Sequence, residues 1–166
     1  MIDWNSTALT PEHDPTEFGC GVPVLDHWLK THAIDADRRG TARTHVWTPL
    51  GNNRVVAYYS LTPYLAARRG LTSALAGGVN ASVPGYLLAK LALDKTLHGR
   101  GHGAELLYDA LSRVAQVADL ASGRLLVVDA IDESAAAFYR KYQFTPVADT
   151  PHRLVIKIAT IRRAFG

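Results

Sequence analysis

The stretch with the most chemical content is Lys90-Leu-Ala-Leu-Asp94, followed by His98-Gly-Arg-Gly-His-Gly103 and a helical run from Ala104 to Ala118. An apolar strand enters a loop with glycine at 99, 101 and 103, and a helix leaves that loop directly. Glycine takes positive φ without penalty and lets backbone come close to a ligand. The first turn of a helix offers N–H groups without intrahelical partners and the positive end of the helix dipole. Together they form a cradle for a phosphate or pyrophosphate. A tight strand-to-helix turn would need the same glycines for geometry alone, and the loop by itself leaves both readings open. A Rossmann dinucleotide site needs Gly-x-Gly-x-x-Gly with an acidic residue ending the next strand, and a P-loop needs Gly-x-x-x-x-Gly-Lys-Ser/Thr. The spacing after Gly101 fits neither, and no Lys-Ser/Thr pair follows.

A chain of 166 residues is expected to form one domain over 1–166, with a polar segment over 1–17 and enough length for a substantial core. Its 48% hydrophobic and 20% charged residues are those of an ordinary soluble protein. Cys20 is the only cysteine, so an intrachain disulfide and a thiolate metal cluster are excluded, and it reads as a small packing residue. Met1 to Glu17 has neither a basic region nor an apolar core of a secretory signal. The uncharged run Val83–Ala89 is far too short to cross a bilayer. A cytoplasmic protein without membrane contact is the expectation. His27 and His32, or His98 and His102, lack a third ligand at a recognisable spacing, and no metal is expected.

The elements that must position the loop follow from pattern. Phe18-Gly-Cys-Gly-Val-Pro23 reads as a turn with Pro23 starting a helix. Leu25, Trp28, Leu29, His32, Ala33 and Ala36 mark one face of that helix, with Gly40 as its C-terminal stop. Arg38 and Arg39 in its last turn complement the dipole or face an anion. Thr44–Thr48, the turn Leu50–Asn53 and Arg54–Thr62 make a hairpin. Tyr64–Ala81 reads as a loop or partial helix outside the sheet. Val83–Asp94 is the strand entering the loop, and the helix leaving it carries Leu107, Leu111, Val114, Ala115 and Ala118 on one face until Gly123 stops it. Leu125–Val128 is a fully buried strand, Asp132–Tyr142 a helix capped by Asp132 or Ser134, and Leu154–Ala159 a closing strand. This order is a mixed α/β sheet centred on the strand–glycine loop–helix unit.

The residues His98, Gly101 and Gly103 resemble the (Gln/Arg)-x-x-Gly-x-Gly/Ala coenzyme A loop of the GNAT N-acetyltransferases, with His98 in place of Gln or Arg. Leu91-Ala-Leu-Asp94 resembles the strand before that loop. Asp132-x-x-Ala135-x-x-Phe138-Tyr139-x-x-Tyr142-Gln143-Phe144 is similar to the family's Asn-x-x-Ala-x-x-Phe-Tyr-x-x-x-Gly-Phe, with Asp132 for Asn and Gln143 for glycine. The resemblance extends from Phe18 to Ala159 and implies a GNAT fold, a mixed central β-sheet flanked by helices, with acetyl-CoA as cofactor. It implies coenzyme A contacts along Leu91, Ala92 and Leu93, in the loop at His98, Gly99, Arg100, Gly101, His102 and Gly103, and at Asp132, Ser134, Ala135 and Phe138. Tyr139 occupies the position of the family's usual general acid. A phenol with a pKa of about 10 is protonated at neutral pH and can give its proton to a departing thiolate. Alternatively Tyr139 is a core aromatic, as Phe138 beside it is read to be.

Within that family, Phe18-Gly-Cys-Gly…Leu25-Asp-His-Trp-Leu29, Ala57-Tyr-Tyr-Ser-Leu61, Leu91–Asp94 and Val127-Val-Asp-Ala130 resemble the TacT-type toxins. That resemblance implies acetylation of the α-amine of aminoacyl-tRNA, a block of translation, a ribbon-helix-helix antitoxin, operator DNA bound only through the antitoxin complex, and a homodimer. The net charge of +3 and a pI near 9.1 are compatible with a polyanionic partner or with a solvated basic surface. Lys30, Arg38, Arg39, Arg43 and Lys90 are the candidate contacts to tRNA phosphates, and Arg68 and Arg69 form a further basic pair. The core strand has no Glu or Asp base motif beside it, which suits an acceptor amine of low basicity. A small-molecule or protein-amine acetyltransferase shares every core motif, and the alternative of another class is mainly an antitoxin-binding co-repressor module whose acyl-CoA site is structural.

Overall fold

The computed structural model describes residues 4–165. Among them the elements run β1 (Trp4–Ala8), α1 (Pro23–Thr31), α2 (Ala33–Arg39), β2 (Arg43–Pro49), β3 (Ala57–Ala66), α3 (Ser73–Ala76) and β4 (Val83–Leu93). After a 3₁₀ turn at Lys95–Leu97 come α4 (His102–Ala121), β5 (Leu125–Asp129), α5 (Glu133–Lys141), β6 (Thr145–Pro146), β7 (Arg153–Lys157) and α6 (Ile158–Phe165). The strands are ordered β1-β2-β3-β4-β5-β7-β6 in one mixed sheet. The chain divides into two compact units, Met1–Thr62 with Lys90–Ala110, and Pro63–Ala89 with Leu111–Gly166.

In the first unit, β1, β2 and β3 are antiparallel, with Ser6 opposite Trp47 and Val46 opposite Tyr58. Leu9, Phe18, Cys20, Leu29, Ala33, Val46, Val55, Tyr58 and Ala92 form its buried cluster, so Cys20 is the packing residue its isolation suggested. The single helix expected from Leu25 to Ala36 is two. The Thr31 hydroxyl donates to the His27 carbonyl at 2.7 Å, and His32 leaves helical geometry at φ −121°. Side-chain bonding of this kind to the preceding turn bends helices. His32 is therefore exposed at the break rather than part of the buried stripe. Pro23 starts α1, and Gly40 closes α2 at φ 73°. The segment read only as polar contains β1, whose Trp4, Ser6 and Ala8 turn inward while Asn5 and Thr7 are exposed. Met1 to Asp3 of that segment lie outside the described residues.

In the second unit, β5 runs parallel to β4 and antiparallel to β7, and β6 pairs with β7. Gly85 faces Leu125 across the parallel pair, and a Cβ there would sit 2.1 Å from the Leu125 carbonyl oxygen. The second β-strand of the hairpin starts three residues later than expected and continues to Ala66, so Tyr64–Ala66 belong to the sheet rather than to a loop. Only Ser73–Ala76 of that stretch is helical, capped by Thr72 accepting from the Leu75 N–H. Leu125–Val128 are buried throughout, as a continuous apolar strand requires. The helix after the glycine loop extends past Ala118 to Ala121, and Ser122 at φ 64° ends it before Gly123. The closing strand stops at Lys157, where Ile158 and Ile161, both buried, begin a helix that the alternating pattern concealed. No helix among the described residues is long and apolar enough to cross a membrane.

Candidate active site

The strand that carries the loop ends in a carboxylate clamp. Asp94 is buried and accepts from the Thr96 N–H at 3.0 Å, the Thr96 hydroxyl at 2.8 Å and the Gly19 N–H at 3.0 Å. The Lys95 N–H returns a bond to the Gly19 carbonyl at 2.9 Å. Two distant stretches of the sequence, Phe18–Gly21 and Leu91–Asp94, are thereby tied at one point. Burial pushes the Asp94 carboxyl up, but the bonds from Thr96 and Gly19 and the Arg54 charge outweigh it and hold the group below the usual carboxylate range. A carboxylate so engaged cannot serve as a general base.

Beyond the 3₁₀ turn, Gly99 and Gly101 take φ of 76° and 81°, and an added Cβ at either would meet nothing within 4 Å. Conformation, not space, is what demands glycine there. Gly103 differs: it lies in the first turn of α4 and is not among the positive-φ glycines. His98 Nε2 donates to the Leu93 carbonyl at 2.7 Å, so its ring folds back onto the strand it follows. Arg100 is exposed at the loop tip. His102 Nδ1 lies 2.8 Å from Glu105 Oε1, and its ring meets the Trp4 ring edge-on at 6.0 Å. Leu91 and Leu93 are half-buried on one face of β4, while Ala92 is buried on the other.

A residue that no motif singles out organises this end of α4. Asp109 Oδ2 accepts from the Ser6 hydroxyl at 2.5 Å, the Trp47 indole N–H at 3.1 Å and the Tyr59 hydroxyl at 3.2 Å. The donors come from β1, β2 and β3, so a single carboxylate oxygen fixes the helix that starts in the glycine loop to three strands.

In the second unit, Asp132 caps α5 by accepting from the Ala135 N–H at 2.8 Å. Ser134 is exposed and Ala135 is half-buried; Tyr139 is buried, as its reading as a core aromatic expected, whereas Phe138, read as a core residue, is only half-buried. The Tyr139 ring packs 5.3 Å from Phe138 and 5.3 Å from Phe144. Burial raises its phenol well above the ordinary value. Among the described residues its hydroxyl has no hydrogen-bond partner. Gln143 adopts φ 74°, the left-handed conformation that glycine would take more easily, so the turn after α5 keeps its geometry despite the substitution. Arg153 makes a bidentate pair with Asp129 at the end of β5, at 2.7 and 2.8 Å, and donates to the Tyr64 hydroxyl at 2.7 Å. Nothing in the local sequence links these three residues.

All five basic candidates lie in the first unit. Lys30, Arg38, Arg39 and Arg43 are exposed; Arg39 pairs with Asp35 at 2.8 Å and Arg43 with Asp37. Lys90 is half-buried, its ammonium 4.5 Å from the centre of the Trp28 ring. Arg68 donates to the Leu71 carbonyl in the second unit. No group of three potential metal ligands occurs among the described residues.

No protein-family profile matches the chain. A tRNA-acetylating toxin of Mycobacterium tuberculosis is 33% identical over 158 residues, 95% of this chain and 94% of the relative. Among solved structures, AtaT complexed with acetyl-methionyl-tRNAfMet superposes with a TM-score of 0.90 at 25% identity, covering 99% of this chain and 100% of that one. A tyrosine-to-phenylalanine variant of AtaT, bound to the C-terminus of the antitoxin AtaR and to acetyl-CoA, superposes with a TM-score of 0.85 at 26% identity over 99% of both chains. The order of strands and helices, the glycine loop at the start of α4 and a relative similar over nearly its whole length agree: the chain belongs to the TacT-type tRNA-acetylating toxins of the GNAT N-acetyltransferase superfamily.

Proposed function

We propose that this protein transfers the acetyl group of acetyl-CoA to the α-amine of an amino acid esterified to tRNA, acting in the cytoplasm as the toxin of a pair with an antitoxin. The observation that carries this reading is the 33% identity, along almost the entire chain, to a tRNA-acetylating toxin. AtaT, of the same fold, has been captured with acetyl-methionyl-tRNA and, as a variant, with an antitoxin and acetyl-CoA.

Acetyl-CoA supplies an activated thioester when bound. The positive-φ loop at Gly99 and Gly101, leading into the N-terminus of α4, suits the pyrophosphate through backbone N–H groups and the helix dipole. His98 is committed to the Leu93 carbonyl, so the cradle relies on backbone rather than on a Gln or Arg side chain. Backbone N–H groups of Leu91–Leu93 are the assigned donors to charge developing at the carbonyl oxygen. Tyr139 holds a proton throughout the working pH range because burial raises its phenol, and its hydroxyl is uncommitted. It is assigned as the acid that protonates the departing thiolate. Lys30, Arg38, Arg39 and Arg43 are assigned to tRNA phosphates, exposed cations whose surface ion pairs cost little to exchange.

The test is transfer of labelled acetyl from acetyl-CoA to total aminoacylated tRNA by the purified protein, beside Tyr139→Phe. Label that enters tRNA, is absent after prior hydrolysis of the ester, and falls about 10²–10⁴-fold in the Phe variant supports the reading. Acetyl-CoA binding without transfer to tRNA refutes the acceptor assignment. Full activity in Tyr139→Phe refutes the acid.

A further inference from the structure

We infer that Lys90 is a phosphodiester subsite, taking the phosphate nearest the reacting amine at the 3′ end of the acceptor RNA. The inference rests on the acetyl-transfer reading and assigns one charge to one position in it. Lys90 immediately precedes the Leu91–Leu93 stretch of β4. Alternation along the strand turns its side chain to the same face as Leu88 and Ala92, and Ala92 belongs to the cluster packed on α1. There its ammonium lies over the Trp28 ring at 4.5 Å. Trp28 in turn stacks on Tyr58 at 6.1 Å with 13° between planes, and Tyr58 is fully buried with its hydroxyl donated to the Leu25 carbonyl at 2.7 Å. The ammonium is thus seated over a ring that itself packs on a buried residue.

Among the described residues, Lys90 has no carboxylate within salt-bridge reach and no hydrogen-bond acceptor. The contrast with Arg39 and Arg43 is direct, since each of those exposed cations has its own aspartate. A half-buried ammonium whose only partner is an aromatic face has lost hydration without gaining an anion. Burial alone lowers its pKa, and a bound phosphate would reverse that. The coenzyme's pyrophosphate is assigned to the positive-φ glycine loop, beyond the other end of Leu91–Leu93. The phosphate left for Lys90 is therefore the acceptor's, and in an aminoacyl-RNA the phosphodiester closest to the amine is only one ribose away from it.

The experiment compares the wild type with Lys90→Met, which keeps an apolar stem on Trp28, and with Lys90→Arg. Three acceptors are used: aminoacyl-tRNA, 3′-aminoacyl-adenosine, and the same compound with a 5′-phosphate. The wild type should prefer the 5′-phosphorylated compound about tenfold in kcat/KM, through KM. Lys90→Met should erase that preference, raise KM for aminoacyl-tRNA and flatten its log–log salt dependence by about 0.7, the share of one phosphate contact on a single strand. Lys90→Arg should restore most of it. Equal loss on all three acceptors, weaker acetyl-CoA binding, or an unchanged preference in Lys90→Met each overturn the subsite while leaving tRNA acetylation intact. A wild type that binds acetyl-CoA but acetylates none of the acceptors overturns the underlying reaction instead.

Discussion

Replacing Asp109 with alanine removes one acceptor from three donors on three strands, and the loss can be sized. A hydrogen bond to a charged group contributes about 1.5–3 kcal/mol. The three share one oxygen, so their effects do not add in full. Trp47 and Tyr59 are buried, and solvent cannot readily replace the acceptor. Asp109 itself is half-buried, so a loss of about 2–4 kcal/mol follows, at or below that for breaking fully buried charge networks. At about 2–4 °C per kcal/mol for a chain of this size, the melting midpoint should fall by about 4–16 °C. Asp109→Asn keeps the shape and one acceptor oxygen and should lose about 1 kcal/mol. Urea and thermal unfolding followed by circular dichroism give both numbers, and hydrogen exchange should show the β1–β2 amides opening first in the alanine variant. An alanine variant within about 1 kcal/mol of wild type, or an asparagine variant as damaged as the alanine one, would refute Asp109 as the tie between α4 and the strands.

Asp94 makes the acid limb of stability steeper. Its folded pKa is depressed, so its contribution is complete above the unfolded value of about 3.9 and is lost as pH falls through the folded one. Urea midpoints of the wild type and Asp94→Asn should converge below about pH 4, and curves that stay parallel would count against the clamp. Gln143→Gly relieves a left-handed residue at φ 74° and should stabilise by about 1 kcal/mol, a gain of a few degrees in a thermal melt; a loss would show that the Gln143 side chain matters more than its backbone. Gly101→Ala imposes a side chain on φ 81° in open space, so it should weaken acetyl-CoA binding about tenfold by calorimetry while moving the melt by under about 4 °C. Unchanged affinity would remove the loop from the coenzyme site.

What could be read from the sequence was whatever is decided within a few residues. Pro23 at the start of α1, Gly40 at the end of α2, Asp132 capping α5 and the apolar run of β5 are all local statements, and each stands in the structure. The glycine loop belongs with them, except that Gly103 is helical. β1 was hidden because Asn5, Ser6 and Thr7 look like loop until β2 supplies their partners. The clamps joining Ser6 to Asp109 and Gly19 to Asp94 span 103 and 75 residues, separations at which no periodicity speaks. The break at His32 was local but turned on a threonine hydroxyl bonding backward, which a count of apolar positions passes over.

In each unit, carboxylates near the residues assigned to the reaction are engaged in structure, which bears on the chemistry of the acceptor. Asp94 is taken by Thr96 and Gly19, Glu105 by His102, Asp109 by three donors, Asp129 by Arg153, and Asp132 by the start of α5. Each has a structural partner, so none stands ready to draw a proton from a strongly basic amine. A lysine side chain, with a pKa of about 10.4, is neutral in only about one molecule in 2,500 at pH 7. An α-amine with a pKa of about 7.7 is neutral in roughly one in six, and the adjacent ester of an aminoacyl-tRNA lowers the value further. The several-hundredfold difference is available to the enzyme without any base of its own. An enzyme that commits these carboxylates to structure is expected to work on an aminoacyl ester and to use lysine far less well. The rate on an aminoacyl acceptor should rise with pH only until the amine's own pKa is passed, while the rate on a lysine peptide should climb tenfold per pH unit across the whole neutral range.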